Sequence, residues 1–115
     1  MAEQAGVVVH LNEADPDKHS AVLRNVLNLR ADLGPDVPVE VVVHGAGLGI
    51  ALAGSAKAGH IAELVADGVA FAACENTLRS RDLSAEQLLP GVVVVPSGVG
   101  ELARRQLSGW AYLRP

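Results

Sequence analysis

Four short runs, nearly free of polar residues, set the terms for any fold of this chain. They are "GVVVHL" (6–11), "VEVVVHG" (39–45), "GVAFAAC" (68–74) and "GVVVVPS" (91–97). Each is rich in β-branched residues or Ala and ends at turn or polar residues. None alternates strictly between apolar and polar. Continuous apolar runs of this length suit strands buried on both faces, as in a parallel sheet.

Helical patterns fill the gaps. Between Asp17 and Leu33, the residues Val22, Leu23, Val26, Leu27 and Leu33 fall near one face, and Gly34-Pro35 stops the helix. Between Ala58 and Ala66, Ile61, Leu64 and Val65 repeat the pattern until Asp67-Gly68. After Cys74 comes a short polar helix, then "LSAEQLLP", in which Ser84 and Gln87 have capping-box spacing and Leu83 and Leu88 are placed as a hydrophobic staple. A last helix is predicted from Val99 to Leu107, with Leu102, Ala103, Gln106 and Leu107 turned inward. The tail "GWAYLRP" reads as a fifth, edge strand. Strand and helix alternate throughout one domain spanning 1–115. That order predicts a mostly parallel α/β sheet with right-handed crossovers and helices on both faces.

Composition narrows the function. Half the chain is hydrophobic and 19% is charged, which suits a globule with a real core. The aromatics are Phe71, Trp110 and Tyr112, too few for a base-stacking platform. Net charge is −4 without a basic cluster, so nucleic acid is not an expected partner. The lone cysteine forms no intramolecular disulfide, and a reducing cytoplasm is the default location. "MAEQAG" lacks the pattern of a secretory leader, and "GAGLGIALAGSA" is far short of a bilayer span, so no membrane association is expected.

In an open α/β sheet, ligands bind beyond the carboxyl ends of the strands. After the first strand come His10 and Asn12. After the second come His44 and "GAGLG", with Gly45 and Gly47. After the third come Cys74 and Asn76, and after the fourth Ser97 and Gly98. Cys74 ends a strand where a helix begins, a placement that lowers a thiol pKa, while Glu75 opposes it and Arg79 and Arg81 offset Glu75. The bland reading is a small buried hydrophobe. His10 and His44 are candidate proton carriers or ordinary strand-end residues. With Cys74 and His60 they make no metal-ligand spacing, and no metal or cofactor is expected. "GAGLG" is not a dinucleotide fingerprint. It either lets the chain turn sharply or offers N–H groups to a small anion. Ser97 reads as a helix N-cap, without the elbow that serine catalysis needs.

Four segments carry a family resemblance: "HLNEADPDKHSAVLRNVLNL", "VEVVVHGAGL", "AACENTLRSRDLS" and "LLPGVVVVPSGVGELARRQLSGWAYLRP". Their C-x-N-[TS]-L block, V-P-S-G-V and terminal R-x-x-x-G-W-A-Y resemble the DsrE/DsrF-like family, and the small stand-alone members above all. The resemblance implies a flavodoxin-like three-layer α/β/α sandwich with a five-stranded sheet, assembled as homotrimers or hexamers. It implies sulfur relay through a cysteine persulfide, carried onto Cys74, with the accompanying "HG" at His44 and Gly45. A separate sulfur donor or acceptor protein is then expected. Two other readings stand beside it: an oligomeric module that binds a nucleotide or anion at the strand-end edge without catalysis, and an oligomeric scaffold with no chemistry of its own.

Overall fold

The computed structural model describes residues 4–115; residues 1–3, part of the "MAEQAG" segment and of the 1–115 span, lie outside them. Five strands form one sheet: β1 (Val7–Leu11), β2 (Val39–Val43), β3 (Ala70–Cys74), β4 (Val92–Val95) and β5 (Ala111–Leu113). The helices are α1 (Pro16–Leu33), α2 (Ala58–Ala66), α3 (Glu75–Ser80) and α4 (Gly98–Leu107). The sheet order is β4-β3-β2-β1-β5, and every pairing is parallel, so the expected mostly parallel sheet is wholly so. The fold is the three-layer α/β sandwich that the alternation of strands and helices predicts.

The order of strands decides which helix lies where. From β1 to β4 the chain steps in one direction across the sheet, so crossovers of one hand put α1, α2 and α3 on the same face. From β4 it returns over the whole sheet to pair β5 with β1. That reversal of direction sends α4 to the opposite face. The packing agrees. Val22, Leu23 and Val26 of α1, Ile61 and Leu64 of α2 and Leu78 of α3 share one core cluster with Val9, Val41 and Phe71. Leu102 of α4 and Trp110 pack with Val8, Val42 and Ala72 in a second, smaller cluster.

Alternation along each strand sorts the residues between these layers. Val7, Val9 and Leu11 of β1, with Val39, Val41 and Val43 of β2, face the large core. Val8 and His10, and Glu40 and Val42, face α4. Glu40 is only 3% exposed in the middle of β2. Arg105 Nε donates to Glu40 Oε1 at 3.1 Å and lies 3.3 Å from Glu101 Oε2, while its guanidinium sits 4.4 Å over the Trp110 ring. Burial, and a hydrogen bond shared with Glu101, push Glu40 up to about 7 against the pull of Arg105. Glu101 is held low: burial opposes this, but Glu40, Arg105 and Arg104 prevail. Of the two acids, Glu40 is the more readily protonated.

Caps fix both long helices. Asp15 Oδ1 accepts from the Asp17 N–H at 2.9 Å with Pro16 opening α1, and Ser97 Oγ accepts from the Gly100 N–H at 3.1 Å to start α4. The predicted capping box is present, with the Ser84 N–H donating to Gln87 Oε1 at 2.9 Å, although it opens only a single 3₁₀ turn.

Some inward assignments do not hold. Leu27 and Leu33 of α1 are exposed, because α1 packs through Val22, Leu23 and Val26. In α4, Ala103, Gln106 and Leu107 face solvent, with Leu107 89% exposed, and Leu102 is the apolar contact. The fourth apolar run is not buried on both faces: β4 is an edge strand, and Val93 is 53% exposed where no helix reaches it. Among the described residues, no helix is long and apolar enough to cross a membrane.

Candidate functional site

β3 and β4 are neighbours whose following helices leave for opposite faces of the sheet. Such a divergence opens a crevice at the carboxyl ends of the strands, where α/β folds place ligands. Cys74 ends β3 at this point, 5% exposed. N–H groups approach its sulfur from both sides: those of Asn76 and Thr77 at the start of α3, and that of Gly98 at the start of α4. The Thr77 hydroxyl also donates to the sulfur and itself accepts from the Gly45 N–H at 2.9 Å.

Burial is the largest single influence on this thiol and pushes it up. The donors together outweigh burial, and the thiol lies below its ordinary value. Glu75, expected to oppose this, is paired with Arg79, whose Nη2 lies 2.5 Å from Glu75 Oε1.

Two histidines stand in the same row. Register pairs Val43 with Ala73, so His44 follows β2 level with Cys74, on the α4 face. Its Cβ packs so tightly on Gly98 that a β-carbon there would lie 2.8 Å away. Only glycine fits between His44 and the N–H that reaches the sulfur. His10, one strand further along, meets His44 with the two Nε2 atoms 2.6 Å apart. Tyr112 of β5 closes the row, its hydroxyl 2.6 Å from His10 Nδ1. Burial, then His44 and Arg114, lower the pKa of His10 against Glu13. Burial, then Arg114, lower that of His44. Both rings are thereby kept neutral near pH 7.

The other expected site residues lie around this row in mixed roles. Asn12 Oδ1 faces Arg114 Nη2 at 3.5 Å. Asn76 contributes its backbone, and its side chain lies at the surface. Ser97 is the α4 cap. Gly45, at φ 55°, adopts a backbone that favours glycine and orients Thr77. Gly47 sits where a β-carbon would overlap the Leu11 carbonyl, and its N–H donates to the His44 carbonyl at 3.0 Å. "GAGLG" is thus a tight 3₁₀ turn (Gly45–Ala51) folded back on the sheet. A cleft of about 360 Å³ lies on its far side, lined by His19, Gly49, Lys57 and Arg81, away from Cys74.

Thr77 and Tyr112 were not among the expected site residues. Thr77 is visible in the C-x-N-[TS]-L block. Tyr112 ends the R-x-x-x-G-W-A-Y motif, but its contact with His10 has no sequence signal, because it arises only through the β1–β5 pairing. Among the described residues, no three His, Cys, Asp or Glu side chains gather as a metal site.

Residues 7–115 match the model of the DsrE/DsrF-like family. The chain is 44% identical to MTH1491 from Methanobacterium thermoautotrophicum, whose structure is described as that of a protein of unknown function. The TM-score is 0.93, with 97% of this chain and 100% of that one covered. The ychN protein from E. coli shares the fold at 20% identity and a TM-score of 0.82, over 97% of this chain and 100% of its own. None of the curated proteins compared matches. The chain belongs to the DsrE/DsrF-like family, which is associated with sulfur relay.

Proposed function

We propose that this DsrE/DsrF-like protein is a sulfur carrier and that Cys74 is the carrying residue. The Cys74 thiolate attacks the outer sulfur of a persulfide or polysulfide donor. A new S–S bond forms at Cys74 as the donor's S–S bond breaks, and the donor leaves as a thiolate. An acceptor thiolate then takes the outer sulfur by the same displacement, which is thiol–disulfide exchange chemistry. The chain has no second cysteine, so the acceptor is another molecule or another subunit.

One observation carries this reading: N–H groups from two divergent helices converge on a single, nearly buried thiol. Those donors favour sulfur as an anion, and thiolate is the nucleophilic form. The low exposure shelters a persulfide from bulk reductants. His44 and His10 serve the proton that leaves the thiol.

Mass spectrometry after incubation with polysulfide tests the proposal. The expected result is a gain of one sulfur at Cys74, reversed by a small thiol and absent in Cys74→Ser. A folded protein that gains no sulfur at Cys74 contradicts it.

The same reading includes a homo-oligomer, a trimer or hexamer. Val93 on the edge strand and Val99 on α4, 53% and 63% exposed, offer apolar surface in support of such a contact. Light scattering on a sizing column is expected to give a mass above 11.9 kDa. A monomer at tens of micromolar would oppose it.

A further inference from the structure

We infer that Tyr112, His10 and His44 form a proton relay that connects the Cys74 side of the row to water, with Tyr112 as its outer end. This rests on the sulfur-carrier reading of Cys74 and adds to it a route for the thiol proton.

The geometry of the two rings is the starting point. Their centroids are 4.8 Å apart and their planes differ by 18°. The separation of the centroids is the 2.6 Å gap between the two Nε2 atoms plus about one ring width. The rings therefore meet edge to edge and nearly coplanar, the arrangement of an N–H···N hydrogen bond rather than of face-to-face stacking. That gap holds one proton. Two would collide, and none would set two lone pairs against each other. When both rings are neutral, the histidine that holds its proton on Nε2 faces one that holds it on Nδ1. The Tyr112 link obeys the same count, since a hydroxyl donates and accepts.

Two states satisfy both links. In the first, Tyr112 O–H donates to His10 Nδ1, His10 Nε2–H donates to His44 Nε2, and His44 carries its proton on Nδ1. In the second, His44 Nε2–H donates to His10 Nε2, His10 Nδ1–H donates to the Tyr112 oxygen, and the Tyr112 proton points to water. A proton accepted by His44 Nδ1 turns the second state into the first. The His44 Nε2 proton moves to His10, the His10 Nδ1 proton moves to Tyr112, and the outward Tyr112 proton leaves. One proton enters, one leaves, and no member carries net charge before or after. Tyr112 is 39% exposed and supplies the opening to solvent, while the two rings are half-buried. The low proton affinity of both rings, set by burial and Arg114, keeps the line from trapping the proton as an imidazolium.

Tyr112→Phe keeps the ring and removes the link. Its rate of Cys74 sulfur loading from polysulfide at pH 7 is expected to fall at least tenfold, within the range of proton-transfer catalysis. Added imidazole is expected to restore it. Nitrogen-15 spectra of the two rings are expected to show opposite tautomers in the parent protein and redistribution in the variant. An unchanged loading rate overturns the relay, whatever the ring spectra show, and leaves the sulfur-carrier reading intact. Slowing that imidazole does not relieve marks a structural effect and also overturns it. If the parent protein itself takes up no sulfur, the sulfur-carrier reading falls, and the relay falls with it.

Discussion

The two faces of the sheet are built from the same strands and do different work. Toward α1 and α2, the strands present Val, Leu, Phe and Ala without a titratable group. Toward α4 they present Glu40, His10, His44, Cys74 and Tyr112 around an apolar cluster of Val8, Val42, Ala72, Leu102 and Trp110. One layer is a dry core. The other is a thin apolar floor beneath a row of polar groups. The difference follows from the return crossover. Three helices seal one face, while α4 alone covers the other and leaves the carboxyl edge accessible.

This division should separate in experiment. The largest expected effect is on the sealed face. Phe71→Ala removes the largest fully buried side chain and is expected to cost about 3–5 kcal/mol in urea unfolding. Cys74 in the folded fraction should keep its alkylation profile. If that profile moves as far as the stability does, the faces are not independent.

The next effect is on the α4 face. Glu40 has its folded pKa raised from 4.5 to about 7, so the folded state binds the extra proton. The stability this supplies is present below about pH 4.5 and is lost as pH rises through 7. Between about pH 5 and 8 the contribution of Glu40 should fall by on the order of 2–3 kcal/mol. Glu40→Gln should flatten that slope. His10 and His44, whose pKa values are lowered, contribute the opposite slope, so the comparison is between the two proteins. A parent that loses no more stability over this window than Glu40→Gln would contradict the raised Glu40 pKa.

The smallest stability effect has the larger chemical consequence. Ser97→Ala removes the α4 cap and should cost about 1 kcal/mol. It also loosens the turn that aims the Gly98 N–H at sulfur, so the Cys74 thiol should become harder to ionise. Phe71→Ala and Ser97→Ala together make a double dissociation between the faces.

Much of the fold was legible in the sequence, because continuous apolar runs and intervening helical periods are local signals. The edge character of β5 and its Pro115 terminus were legible for the same reason. The exposed Val93 was not, since whether a run lies at an edge depends on strand order. In the site, Cys74, His10 and His44 could be placed at one edge by counting strand ends. Their common face could be inferred only once β1, β2 and β3 were in register. Tyr112 and Arg105 act across 102 and 65 residues of sequence, on His10 and Glu40, and no local pattern records such a contact. The pairing of Glu75 with Arg79, expected to offset its charge, was legible in the spacing, since Arg79 stands one helical turn away.

The most direct test is the rate of Cys74 alkylation by a small reagent as a function of pH, in the folded protein and in the same chain unfolded in urea. The thiolate is the reacting form, so the midpoint reports ionisation of the thiol. The midpoint in the folded protein is expected below that of the unfolded chain, and Ser97→Ala should move it back up. A folded midpoint at or above the unfolded one would mean that burial outweighs the converging N–H groups, and Cys74 would be a structural thiol.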